Sequence, residues 1–142
     1  MYIQLFIGTL AITSTIVVQV IVMRILAEFY RRHQHWLSTG PEHMRTTIAM
    51  ILSVLWLVVG ITINTWGWAF IFLAIDEFPD IETALYFAIS SFTTLGYGDL
   101  ILSHEWRILG ALSAVNGLIV FGLNTAFLLE LMIRTWGRRA GM

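Results

Sequence analysis

Ionisable residues are almost absent from three long stretches of this chain, residues 1–27, 46–75 and 108–133. The second has none, the first only Arg24 and the third only Glu130. Each is longer than the ~20 residues a helix needs to cross about 30 Å of hydrocarbon. With 58% of residues hydrophobic and 12% charged, the chain has too little polar surface to coat a soluble globule. The pattern predicts an all-α membrane protein with three transmembrane helices.

Residues 80–93 predict a different element. Ile81, Ala84, Leu85, Ala88, Ile89 and Phe92 recur at helical spacing over about a dozen positions, a length of roughly 18 Å, or half a bilayer. Pro79 ends the preceding chain, Asp80 suits an N-cap, and Glu82 favours the first turn through the helix dipole. A half-helix followed by irregular backbone at membrane depth must be covered by protein or line a watery cavity. The reading is a re-entrant half-helix followed by an extended segment.

Orientation follows from the arginines, which are all eight of the cationic residues. Arg24, Arg31, Arg32 and Arg45 flank the first connection, and Arg134, Arg138 and Arg139 follow the third stretch. The second connection instead holds Asp76, Glu77, Asp80, Glu82, Asp99 and Glu105, with Arg107 at its end. The positive-inside rule puts the C-terminus in the cytoplasm and the N-terminus outside, as expected of an integral protein of the plasma membrane. Trp106 and Trp136, about 45 Å apart by helical rise, fit the two headgroup belts. The uncharged start argues against a cleaved signal peptide. The run Ser38-Thr39-Gly40-Pro41 reads as a turn, with Pro41 opening the second span.

Enzyme readings fail on spacing. His104-Glu105 lacks the second histidine of a zincin, Ser90-Ser91 has no nearby histidine base, and the glycine run lacks the lysine of a phosphate loop. Without cysteine there is no disulfide framework or thiolate site, and a net charge of −1 speaks against a nucleic-acid partner. No cofactor is expected.

After the half-helix stands Thr93-Thr94-Leu95-Gly96-Tyr97-Gly98-Asp99. This run resembles the selectivity filter of potassium channels, usually Thr-Val-Gly-Tyr-Gly-Asp, and residues 46–134 resemble the pore module around it. An ion entering an apolar slab loses hydration worth on the order of tens of kcal/mol, so a conducting path must offer oxygen ligands in place of water. Turning successive backbone carbonyls to one side requires alternating right- and left-handed residues, and left-handed ones suit glycine. Gly96 and Gly98, two apart, meet that need.

The resemblance implies a potassium-selective homotetramer in a lipid bilayer, with K⁺ as the permeant ion held at Thr94, Leu95, Gly96 and Tyr97, and Gly98 completing the filter. Residues 1–30 then form an extra N-terminal helix, 31–45 a cytoplasmic loop, 46–75 the outer helix, 80–93 the pore helix, 94–99 the filter, 104–134 the inner helix and 135–142 a tail. Leu95 and Tyr97 should pack behind the filter strand. Thr93, Ser90, Tyr86, Phe87 and Asp99 would support it, with Tyr86 and Phe87 in its aromatic cuff and Tyr86 donating to Asp99. Ser90 replaces a glutamate found in several bacterial members, and Leu100-Ile101-Leu102 departs from the usual Tyr-Pro.

On the inner helix, Gly117 and Phe121-Gly122 resemble the hinge and the close-packing glycine, and Leu118, Phe121 and Thr125 the cavity lining. From the residues alone, Gly117 stays open between hinge and packing. Ser113, Asn116 and Asn124 share a side and are expected to hydrogen-bond between helices. Glu130 is read as an ion pair with Arg134 rather than a carboxylate ring at the cytoplasmic entrance. His33, His35 and His43 are read as solvated. Rival functions are a weakly selective cation channel of the same fold and a non-conducting membrane scaffold.

Overall fold

The computed structural model describes residues 1–32 and 42–136, without the side chains of residues 42, 43, 45, 46, 135 and 136. The turn expected at 38–41, His33, His35, the side chain of His43 and most of the tail lie outside what is described. Four helices follow one another: α1 (Tyr2–Arg32), α2 (Glu42–Ala74), α3 (Ile81–Phe92) and α4 (Arg107–Trp136), with no strand among the described residues. Tyr2–Arg32, Thr47–Ala74 and Arg107–Arg134 are long and apolar enough to cross a membrane.

Helix ends differ from the expected limits. Helix α1 continues to Arg32, where Glu28 pairs with Arg31 at 2.7 Å and with Arg32 at 2.9 Å, and α2 begins at Glu42, inside the expected loop. Helices outlast their apolar cores where water satisfies the last turn. The inner helix begins at Arg107 rather than 104 because Trp106 N–H closes a turn onto the Ser103 carbonyl at 3.0 Å. Glu77 anchors that turn, accepting from Ser103 N–H at 2.8 Å and from its hydroxyl at 2.5 Å.

Helices α1 and α4 run parallel. Ile108 N–H donates to Gln4 Oε1 at 3.1 Å, Asn116 Nδ2 to Thr15 Oγ1 at 2.7 Å, and Gln19 Nε2 to Asn124 Oδ1 at 2.6 Å. Helix α2 runs antiparallel to α1, as Trp56 Nε1 donates to the Val22 carbonyl at 2.9 Å and the Tyr30 hydroxyl to that of Ala49 at 2.8 Å. Missing β-carbons permit the approach. One on Gly8 would overlap Leu112, and one on Gly60 would lie 2.7 Å from Gln19 Oε1.

The main core gathers around α3, which packs on α2 and α4. Ala84 and Ala88 are fully buried with Trp68, Phe72, Leu109 and Val120. Phe87 stands edge-on to Phe72 with centroids 5.0 Å apart, and 5.0 Å from Phe78. Asp80 caps the helix as expected, accepting from Thr83 N–H at 2.8 Å and its hydroxyl at 2.9 Å. Those bonds hold its carboxyl below the ordinary carboxylate range.

Candidate functional site: the segment after the half-helix

Helix α3 ends in a Schellman motif that leads straight into the glycine run. Leu95 N–H reaches back to the Ser90 carbonyl and Thr94 N–H to that of Ser91, both at 2.9 Å. In this motif the residue that donates the shorter of the two turns is left-handed; here that residue is Thr94, at φ +60°. Asp76, at φ +56°, does the same at the end of α2, with Glu77 and Asp76 N–H groups bonding to Phe72 and Leu73. A β-branched residue pays a conformational penalty of about 1–2 kcal/mol there. Thr94 therefore holds a conformation that sequence reasoning reserved for glycine.

Gly96 follows at φ +51° and Gly98 at +78°. Left-handed residues thus stand at every second position from Thr94 to Gly98, with Leu95 and Tyr97 at negative φ between them. Such alternation directs consecutive carbonyls to one side of the strand. Gly96 N–H also bonds to the Ser90 carbonyl at 3.2 Å, and the Thr93 hydroxyl to that of Ile89 at 2.8 Å. The whole segment Thr93–Asp99 is exposed. Leu95 and Tyr97, expected to pack behind the strand, are 56% and 69% exposed, so the same chain leaves more than half of each uncovered.

At the far end the Tyr86 hydroxyl donates to Asp99 Oδ2 at 2.7 Å. This bond holds the Asp99 carboxyl below the ordinary range. Phe87, the other aromatic assigned to the cuff, turns into the core against Phe72 and Phe78 and supports the half-helix from behind. Ser90 is buried, and its carbonyl takes the two N–H groups described above.

The inner helix meets the half-helix at Gly117. A β-carbon there would overlap the Phe92 carbonyl oxygen and lie 2.7 Å from its carbon, whereas one on Gly122 would meet nothing within 4 Å. Within the chain, Gly117 is the glycine on which the α3 terminus packs, the packing alternative of its two readings. Phe121 lies 6.1 Å from Phe92 between ring centroids. Leu118, Phe121, Gly122 and Thr125 are exposed, while Asn116, Val120 and Asn124 on the other side are buried. The Thr125 hydroxyl satisfies itself on the Phe121 carbonyl at 2.9 Å.

Of the three polar residues expected to bond between helices, Asn116 and Asn124 do so. Ser113 does not. Its hydroxyl donates to the Gly110 carbonyl of its own helix at 2.7 Å, an outlet that serine has and asparagine's longer amide lacks. Glu130 pairs with Arg134 at 2.6 Å, both exposed. Sequence reasoning missed the α1 partners Gln4, Thr15 and Gln19 and the α2 partner Asn64, whose Nδ2 donates to Gln19 Oε1 at 3.1 Å. Their signal was present: all four are polar and lie within or at the edge of apolar spans, and Thr15 and Gln19 are one turn apart.

A family of ion channels matches residues 59–134, more than half the chain, from within α2 to near the end of α4. The chain belongs to this ion-channel family. No curated protein and no solved structure matches it. The channel is therefore an integral membrane protein whose family moves ions rather than performing catalysis. Its matched part contains the half-helix, the alternating segment and nearly all of the inner helix. Helix α1 lies outside it.

Proposed function

We propose that the chain is one subunit of a potassium-selective channel, in which four copies set Thr94–Gly98 around a common axis and pass K⁺ down its gradient. The observation that carries this reading is the alternation at Thr94, Gly96 and Gly98, which starts at the cap of the half-helix. A strand whose carbonyls face one way offers a row of weak oxygen ligands, and a ring of such strands replaces a hydration shell without the tight grip of carboxylates.

Exposure supports the ring. Irregular backbone at membrane depth is not left facing lipid, yet Thr93–Asp99 lacks full cover within its own chain. Closed cyclic symmetry among identical copies supplies that cover, and neighbouring copies would also enclose Leu95 and Tyr97. In this arrangement α3 is re-entrant, and its C-terminal end turns its partial negative charge toward a central cavity lined by Leu118, Phe121 and Thr125. The arginine distribution supports a cytoplasmic C-terminus, an outward-facing acidic loop and an N-terminus outside, in the plasma membrane.

Purified protein reconstituted in liposomes tests the reading. The expected results are K⁺-driven uptake of tracer, a tetrameric mass, and bi-ionic reversal potentials far to the potassium side of sodium. Equal permeability to both cations would favour the weakly selective channel. A folded tetramer that passes neither ion would favour the scaffold.

A further inference from the structure

Helix α1 meets the pore module through a buried polar contact that simple adhesion does not require. Gln19 is fully buried, and its amide donates to Asn124 on α4 at 2.6 Å while accepting from Asn64 on α2 at 3.1 Å. Gly60 makes the room: a β-carbon there would lie 2.7 Å from Gln19 Oε1 and 3.1 Å from its Nε2. The network is only half satisfied, since Asn64 Oδ1 and Asn124 Nδ2 are buried without a hydrogen bond. As glue this is inferior to apolar packing of the same volume, because each unpaired buried group costs free energy. Buried polar groups of this kind are better suited to fixing one alignment of the helices against another.

The alignment at stake is that of the C-terminal half of α4. On the N-terminal side of Gly122 that helix is gripped by α3, through Gly117 and Phe92. Beyond Gly122, Leu123, Phe127 and Leu128 rest on a small cluster of Val22, Met23 and Leu26 from α1 with Leu57 from α2. A β-carbon on Gly122 would meet nothing within 4 Å in the same chain. Three of the four buried members of that support come from α1, so this half of α4 stands chiefly on the helix that the family match leaves out.

We infer that Gln19 is a positioning residue for conduction: through Asn124 it draws the C-terminal half of the inner helix back onto α1 and holds the pore open. The direction follows from the helix faces and rests on the channel reading given above. Asn124 and Val120 face into the chain, whereas Leu118, Leu129 and Ile133 form the exposed apolar face on the roughly opposite side, which turns to the axis in a ring. Released from Gln19, the four ends swing about the free stretch at Gly122. Their leucine and isoleucine faces then meet across the axis, and an apolar constriction of that kind closes by excluding water.

Single-channel recording of the full chain in planar bilayers tests this with Gln19→Leu, Asn124→Leu, the double variant and Gly60→Ala, whose new methyl would crowd the Gln19 amide and the Val22 side chain. Each should raise the closed-to-open ratio about threefold per copy, the average effect of an interhelical hydrogen bond in a bilayer, compounding over copies that move together. Unit conductance and reversal potential should stay at wild-type values, a split that general misfolding does not produce. The double variant should match the single ones. Unchanged gating in Gln19→Leu, or strictly additive effects in the double, overturns the inference.

If Gln19→Leu does not assemble, Gly60→Ala and the exchanged pair Gln19→Asn with Asn124→Gln decide. A shift in the first with wild-type gating in the second supports the latch, and wild-type gating in both overturns it. A readout independent of current uses Leu129→Cys, the only cysteine in the chain, carrying a spin label. Labels on neighbouring copies should approach one another in Gln19→Leu, and unchanged distances overturn the latch. Silence of the wild-type protein would sink the channel reading alone, since the label distances still report on α4.

Discussion

The Phe92 carbonyl occupies the space that a β-carbon on Gly117 would need. The last residue of the half-helix thus rests directly on the backbone of the inner helix. Because the obstructing atoms are main chain on both sides, no rotamer change relieves a substitution. Gly117→Ala should cost about 1–3 kcal/mol through overpacking, seen as a lower melting temperature of the purified oligomer and loss of flux. Gly122→Ala, with open space around it, should melt at the wild-type temperature.

Gly98 differs from Gly117 in that a β-carbon would meet nothing. Its requirement is conformational, set by φ +78°. Gly98→Ala should carry a penalty of about 1–2 kcal/mol per copy, turn a carbonyl off the common side and abolish selective K⁺ flux while membrane insertion stays intact. Gly67→Ala, equally unobstructed but inside α2 with no positive φ, is the matching control and should conduct normally. Current at the wild-type level in Gly98→Ala would contradict the backbone reading.

The Tyr86–Asp99 hydrogen bond gives a pH dependence with a definite sign. The bond holds the Asp99 carboxyl below the ordinary carboxylate range. Its contribution is therefore complete at neutral pH and is lost as the pH falls through the lowered value. Tyr86→Phe removes the donor and should shorten the conducting state at neutral pH, as strong acidification does in the wild type. Asp99→Asn keeps an acceptor and cannot titrate, so the decay of macroscopic current should become flat across the acid range.

Glu130 and Arg134 are both more than half exposed, and their ion pair is local to one helix face. Exposed pairs contribute less than about 1 kcal/mol. Glu130→Ala should leave stability and unit conductance at wild-type values at physiological salt. A clear fall in outward unit conductance would instead reveal a carboxylate ring at the cytoplasmic entrance.

Features with local causes could be read along the chain. Apolar length announces three crossing helices, because hydrocarbon thickness is a fixed ruler and counting residues measures against it. Asp80 and Glu82 mark the start of the half-helix because capping is settled within one turn. Gly96 and Gly98 carry their left-handed backbone because no neighbour is needed to permit it. Other features depend on partners far off in sequence. Thr94 turns left-handed through the hydrogen bonds of the α3 cap, against its own preference. Gln19 finds Asn124 across 105 positions, and Gly117 becomes a contact rather than a free joint only where α3 crosses α4. A polar or small residue in an apolar span shows that it needs a neighbour, but which one it gets depends on how the helices cross, and that is a property of packed surfaces rather than of chain order.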